Sequence, residues 1–276
     1  MARTVAPLLS SRLGQTVVID NRPGGGGSVG AELAAQAVPD GHTLMITGSA
    51  FVVHSLLYRS RYDPVRDFAP ITQLVEHPYV LVISAAIPAA NVREFVAWAK
   101  TVKGGVNYAS SGNGSLVHLT GELFNNMTGL AMVHVPYKGL ALAYPDIFAG
   151  RVHATFGAIL SSLPHISTGK LRALGVTSLK RVPRLPEVPT LDESGIAKFE
   201  VTQWYGVFAP ARTPPALVSR LQTEIVGALA LPETATRIAN EGSQAVGNTS
   251  AQFAQVVSAE RAKWSVLIRQ LGIRGE

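Results

Sequence analysis

The residues best placed to do chemistry stand close together: Ser110, Ser111 and Ser115 are interleaved with Gly112 and Gly114 inside Asn107–Met127, NYASSGNGSLVHLTGELFNNM. Hydroxyls and glycine-exposed amides are hydrogen-bond donors, so the chemistry they suit is the holding of an anion. Downstream, Leu116, Leu119, Leu123 and Met127 recur at helical spacing, which predicts a helix with Ser115 as its N-cap. The first N–H groups of such a helix lack intrahelical partners and share about half a positive charge, and the two glycines let a ligand approach the backbone. The same residues also describe an ordinary capped turn. Further on, Tyr137, Lys138 and Gly139 set a phenol, an ammonium and a helix-start glycine side by side, groups suited to face a carboxylate.

Enzyme chemistry finds less support. There is no G-x-S-x-G elbow, HLTGE around His118 lacks the second histidine of a zinc helix, and no metal cluster or carboxylate pair stands at acid–base spacing. No catalytic residue and no metal ligand is assigned, and a serine-dependent hydrolase stays an alternative without a motif. Gly25, Gly27 and Gly30 satisfy G-x-G-x-x-G, but Asn21-Arg22-Pro23 separates them from the preceding β-type run. The next run ends in Thr47-Gly48, where a ribose site needs an acid, so a closely packed turn is expected and no cofactor.

Composition bounds the rest. With 276 residues, 47% hydrophobic and 15% charged, the chain can fill one large core or two modest ones. It has no cysteine, which excludes disulfides and thiolate chemistry. A formal charge of +6, scattered without a basic stripe, favours a small anion over nucleic acid. No apolar run approaches the ~20 residues of a membrane span.

The elements that must carry these residues alternate. Strands are expected at Thr16–Asp20, Thr43–Thr47, Phe68–Leu74, Tyr79–Ser84, Met132–Val135, Val152–Phe156, Leu171–Thr177 and Val201–Ala209. Helices are expected at Ser28–Val38, Asn91–Lys100, near Leu140–Ala149 with Pro145 in the first turn, at Ser161–Ile166, from Thr213 to about Leu229, and from about Ser250. That last helix presents Phe253, Val256, Val257, Trp264, Leu267 and Leu271 on one face. Such alternation implies α/β lobes with mostly parallel sheets.

The run YASSGNGSxxHLxGELF, then HVPYKG at His134–Gly139, LPHISTGKLRALGVTS, and earlier NRPGGGGSVGAE with PDGHTL resemble, in one order over nearly the whole chain, the Bug family. These are extracytoplasmic solute receptors of tripartite tricarboxylate transporters. The resemblance implies a two-lobed, type II-like periplasmic-binding-protein (Venus-flytrap) fold. Residues 1–82 and 207–276 would form the first lobe and 83–206 the second, with a ligand cleft between them that closes by a hinge. It implies capture of a small di- or tricarboxylate or aromatic acid by a periplasmic monomer, and delivery to the membrane subunits. Ligand contacts would fall on Gly48, Ser49, Ser110, Ser111, Gly112, Asn113, Gly114, Ser115, Tyr137, Lys138, Gly139, Gly157 and Ala158. Gly157 stands where the family commonly has Asp, which disfavours an amino-acid ligand, and His54 where it usually has Asn. A ligand sensor of the same fold, without a transport role, is the alternative.

Ala2–Gln15 is similar to the family's first helix, before which members carry a signal peptide, a first strand and a first ligand loop. Export is thus implied for the complete gene product. The expectation for residues 1–276 alone is a first sheet whose neighbouring runs, Thr16–Asp20 and Thr43–Thr47, lack the strand that would join them, with poor solubility and weak binding as the result.

Overall fold

The computed structural model describes residues 2–240 and 242–274. Through the first half of the chain the elements are α1 (Ala2–Leu13), α2 (Ser28–Gln36), β1 (Met45–Gly48), α3 (Ala50–Leu57), β2 (Phe68–Ser84), α4 (Val92–Ala99), β3 (Asn107–Ser110) and α5 (Leu116–Thr128). Then come β4 (Val133–Pro136), α6 (Tyr144–Phe148), β5 (Ala154–Ala158), α7 (Ile159–Ser167), β6 (Leu171–Val176), β7 (Thr202–Pro210), α8 (Pro215–Leu229), α9 (Pro232–Asn240), β8 (Gln244–Ala245) and α10 (Ser250–Leu271). The chain divides into two compact units, one running up to Glu76 and resuming at Gln203, the other His77–Thr202.

In the first unit β7 pairs antiparallel with β1, Phe208 opposite Met45, and β8 pairs antiparallel with β2 at Val75 and Glu76. One core joins Val5 and Leu9 of α1 to Leu221 and Ile225 of α8 and to Ile71, Leu74 and Val207 of the sheet. A second packs Phe51, Phe68, Trp204, Phe208 and Phe253, with Trp204 and Phe253 edge to face at 5.1 Å. The expected face of α10 is buried at Phe253, Val257, Trp264 and Leu267, but Leu271, in its last turn, is exposed.

Thr16–Asp20 does not form the strand its β-branched run predicts. An extended segment becomes a strand only when a neighbouring strand takes its N–H and C=O groups, and among the described residues none does: the Val17 N–H goes to the Ser10 hydroxyl at 2.9 Å, and Val18 is 78% exposed. Cavities of about 540 and 590 Å³ open beside it, both lined by Asp20, Asn21, Thr43, Leu44 and Ile46, the larger reaching Ala31 and Ala34 of α2, the smaller Leu9 and Leu221. Gly25–Gly27 form a single 3-10 turn ahead of α2.

The second unit has the strand order β6-β2-β5-β3-β4. Here β3 runs parallel to both β4 and β5, Tyr108 opposite His134 and Ala154. Both β5 and β6 pair antiparallel with β2. Among the described strands of this unit parallel ladders join β5, β3 and β4, with one isolated parallel bridge between Val176 and Thr190, less than the alternation implied, because β2 runs against β5 and β6. The two expected strands Phe68–Leu74 and Tyr79–Ser84 are one strand of 17 residues. Pro78 is tolerated inside it because it lies between the pairings with β8, which end at Glu76, and with β5, which begin at Tyr79. Phe124, Phe156 and Phe199 are fully buried and pack ring to ring, each worth about 2 kcal/mol of transfer free energy. Pro145 does sit in the first turn of α6, after a separate 3-10 turn at Leu140–Leu142.

Candidate functional site

The carboxyl ends of β5, β3 and β4 lie side by side, and each leads into the start of a helix or turn. Ligands of open α/β sheets collect at such ends, where loop amides and helix N-termini converge. The sequence-derived residues of the second unit all lie on these three loops: 110–115 after β3, 137–139 after β4, and 157–158 at the end of β5. Loops 110–115 and 137–139 meet directly, with Tyr137 N donating to Ser110 O at 3.1 Å.

The first of them is wired from within. Ser115 caps α5 as its type predicts, accepting from His118 N at 3.2 Å. Gly112 N donates to Ser110 Oγ at 3.1 Å and Gly114 N to His118 Nδ1 at 3.1 Å. Both glycines hold positive φ, 129° and 70°, a region other residues rarely adopt. Among the described residues, the amides of Leu116 and Val117, the first two of α5, meet no acceptor, and neither does the amide of exposed Ser111. Those N–H groups, at the positive end of the helix, are what the loop offers an anion. Asn113 is exposed beside them.

Three expectations need correcting. Ser110 does not offer its hydroxyl to a ligand: it is fully buried, with Oγ 2.5 Å from His134 Nε2 and 3.0 Å from Gly112 O. Tyr137 does not turn its phenol outward, since its O–H is donated to Asp146 at 2.6 Å, and burial and that carboxylate push it up to about 12. Gly139, at φ 111°, opens the 3-10 turn rather than a helix. Lys138 is exposed. Gly157 is a packing requirement, because a Cβ there would lie 2.3 Å from Ser162 Oγ, while Ala158 is the N-cap residue of α7.

Gly48 and Ser49 belong to the first unit. Gly48 ends β1 against the Trp204 carbonyl, which a Cβ would approach to 3.0 Å. Ser49 sits at the N-cap of α3, fully buried, its N–H donating to Trp204 O at 3.0 Å. Its hydroxyl makes no capping bond and has no hydrogen-bond partner among the described residues.

Sequence reasoning missed the layer beneath the second-unit loop. The ring of His118 stacks on His134 with centroids 3.8 Å apart and planes 6° apart, and His134 lies against Tyr108, its register partner. Burial lowers His118, against the pull of Glu122, and holds His134 down to about 4, with His118 acting in the same direction. The available signal was Tyr108 and Ser110 at strand spacing on one face, beside a histidine three residues past the cap. Ser110 and His134 stand at nucleophile–base distance. Yet that hydroxyl is buried and already accepts from Gly112 N–H, so the contact builds the loop.

The family model of the tripartite tricarboxylate transporter family receptor, TctC, matches residues 1–273. BugT of Bordetella pertussis (strain Tohama I) is 33% identical over 277 residues, 99% of this chain and 85% of BugT. The structure of Rpa4515 of R. palustris with adipate is 34% identical with a TM-score of 0.79, covering 99% of this chain and 92% of that one. That of MatC from Rhodopseudomonas palustris with bound malate is 29% identical with a TM-score of 0.75, covering 97% and 92%. Periplasmic-binding-protein architecture, motif order and whole-length similarity converge: this chain belongs to the TctC family of tripartite tricarboxylate transporter receptors, the family of the Bug proteins.

Proposed function

We propose that this protein is a periplasmic receptor that binds a small carboxylate, a dicarboxylate before an aromatic acid, and hands it to the membrane subunits of a tripartite transporter. The observation that carries the reading is the turn at the carboxyl end of β3: the amides of Ser111, Leu116 and Val117 meet no acceptor among the described residues, while those of Gly112, Gly114 and Ser115 are taken within the loop. A preformed ring of donors at a helix start binds carboxylate without reorganising. Support for a dicarboxylate comes from two solved relatives, one holding adipate and one malate. In the first unit Ser49 Oγ, buried and without a partner among the described residues, is a donor available to ligand.

Binding without turnover follows from the state of Ser110, whose hydroxyl is buried and shared among His134 and Gly112. Isothermal titration with adipate, malate, an aromatic acid and an amino acid should show heat for dicarboxylates and none for the amino acid, and mass spectrometry should recover the ligand unchanged. No binding to any carboxylate, or hydrolysis of an ester lost in Ser110→Ala, overturns the reading.

A further inference from the structure

The stacked histidines, His118 buried and His134 half-buried, form a titratable cluster that ligand binding as described above does not use. His118 Nδ1 accepts the Gly114 N–H, so the neutral ring carries its own hydrogen on Nε2. His134 lies face to face on that ring and reaches Ser110 Oγ with Nε2, tying the other end of the same loop. Two imidazoles on adjacent elements thus hold the two glycine amides of one turn, Gly114 directly and Gly112 through Ser110.

We propose that His118 is a positioning residue for the anion-binding loop, holding Gly114 N–H on Nδ1 beneath the stacked ring of His134, and that it does so only as a neutral ring. A proton on Nδ1 turns the acceptor into a donor aimed at another donor, so the Gly114 bond is lost. The same proton charges a ring whose centroid lies 3.8 Å from that of a second, half-buried imidazole. The consequence is a receptor whose loop loosens, and whose ligand is released, in acid.

The groups facing the pair are few. Tyr108 of β3 touches His134 and sends its hydroxyl to Glu122 Oε1 at 2.7 Å and to His118 O at 3.1 Å. Glu122, one turn along α5, is the carboxylate that acts on the pair among the described residues, and it favours a charged His118. Beyond His134 itself, β4 and β5 contribute no titratable side chain. Desolvation opposes Glu122 and wins at His118, so the transition falls below the ordinary imidazole value of 6.5.

Two measurements on the full chain test this, and the first needs no ligand. In 15N-labelled protein, the Gly114 amide resonance should titrate with the His118 ring, at a midpoint below 6.5, and lose that transition in His118→Asn. A Gly114 amide indifferent to His118 protonation overturns the proposal whether or not any carboxylate binds. The second rests on the proposed carboxylate site and uses adipate as probe, by calorimetry from pH 7.5 to 4.5. His118→Asn, which offers an amide oxygen in place of Nδ1, should restore binding at pH 7.5 to within about threefold of the parent. Because it keeps the ligand's own titration, the parent should fall at least about tenfold further than this variant in acid. His118→Phe, which keeps a ring but no acceptor, should bind weakly at every pH. Parent-like binding by His118→Phe, or parent affinity that rises in acid relative to His118→Asn, refutes the positioning role. Failure of all three proteins to bind adipate, with the Gly114 titration intact, counts against the carboxylate site alone.

Discussion

Two loops in this protein share one plan, a short strand giving way to glycine and serine and then a helix, and they are finished differently. After β3 the protein's own side chains complete much of the turn: Ser115 caps α5, Ser110 and His118 take the glycine amides, and the amides of Ser111, Leu116 and Val117 meet no acceptor among the described residues. After β1 the serine at the same place, Ser49, is buried with its N–H and C=O bonded and its hydroxyl without a partner among the described residues. A buried hydroxyl without a partner costs about 1–3 kcal/mol, so this loop holds back a donor that a ligand can satisfy. The comparison separates a loop whose own side chains complete its bonding from one that keeps a buried hydroxyl in reserve.

The largest effect should come from breaking the preformed turn. Gly112→Val forces a β-branched residue to φ 129°, and carboxylate affinity should drop by more than about a hundredfold, with an unchanged far-UV spectrum. Affinity that survives, measured by calorimetry, would show that the turn is only a helix cap.

A smaller effect separates the two units by pH. In the first unit, burial pushes Glu260 up to about 7 between Trp204 and Trp264, so the folded state keeps a proton that the unfolded chain has lost above 4.5. That stability, about 3 kcal/mol, is present in acid and lost as pH rises through 7. In the second unit His134 refuses a proton until about 4, while the unfolded ring takes it near 6.5. Stability therefore falls as pH drops from 6.5 towards 4, by about 2 kcal/mol after allowing for its partial exposure. Thermal unfolding across pH 4–8 should show Glu260→Gln flattening the alkaline side and His134→Gln the acid side. One shared profile for both variants would contradict the assignment.

The smallest and sharpest test makes one substitution in both loops. Ser115→Ala should cost about 1 kcal/mol of stability through loss of the cap. Ser49→Ala removes an unbonded hydroxyl, so stability should hold or rise while carboxylate affinity weakens by about 1–3 kcal/mol. Equal losses of stability at the two positions, in denaturant titrations, would erase the distinction.

Local physics made part of this legible in the residues. Helix α5, its cap at Ser115, the placement of Pro145 in a first turn and most of the buried face of α10 follow from spacing and side-chain type, because a helix closes its hydrogen bonds within four residues. The motif order likewise carried the family. Pairing was not legible, since a strand's partners lie elsewhere in the chain: Thr16–Asp20 has a strand's composition and no strand beside it, and Pro78 is harmless only because the ladder changes partner around it. The same holds within the site. Adjacent serines 110 and 111 look alike in sequence, yet the pleat buries one and exposes the other, and the β3–β4 register brings His134 beneath His118 across 16 positions. The sequence determined which donors the loop contains; only the packing of α5 on β3 and β4 decided which of them are already used and which remain for a ligand, because hydrogen bonds are exclusive and their owners are set by distance in space.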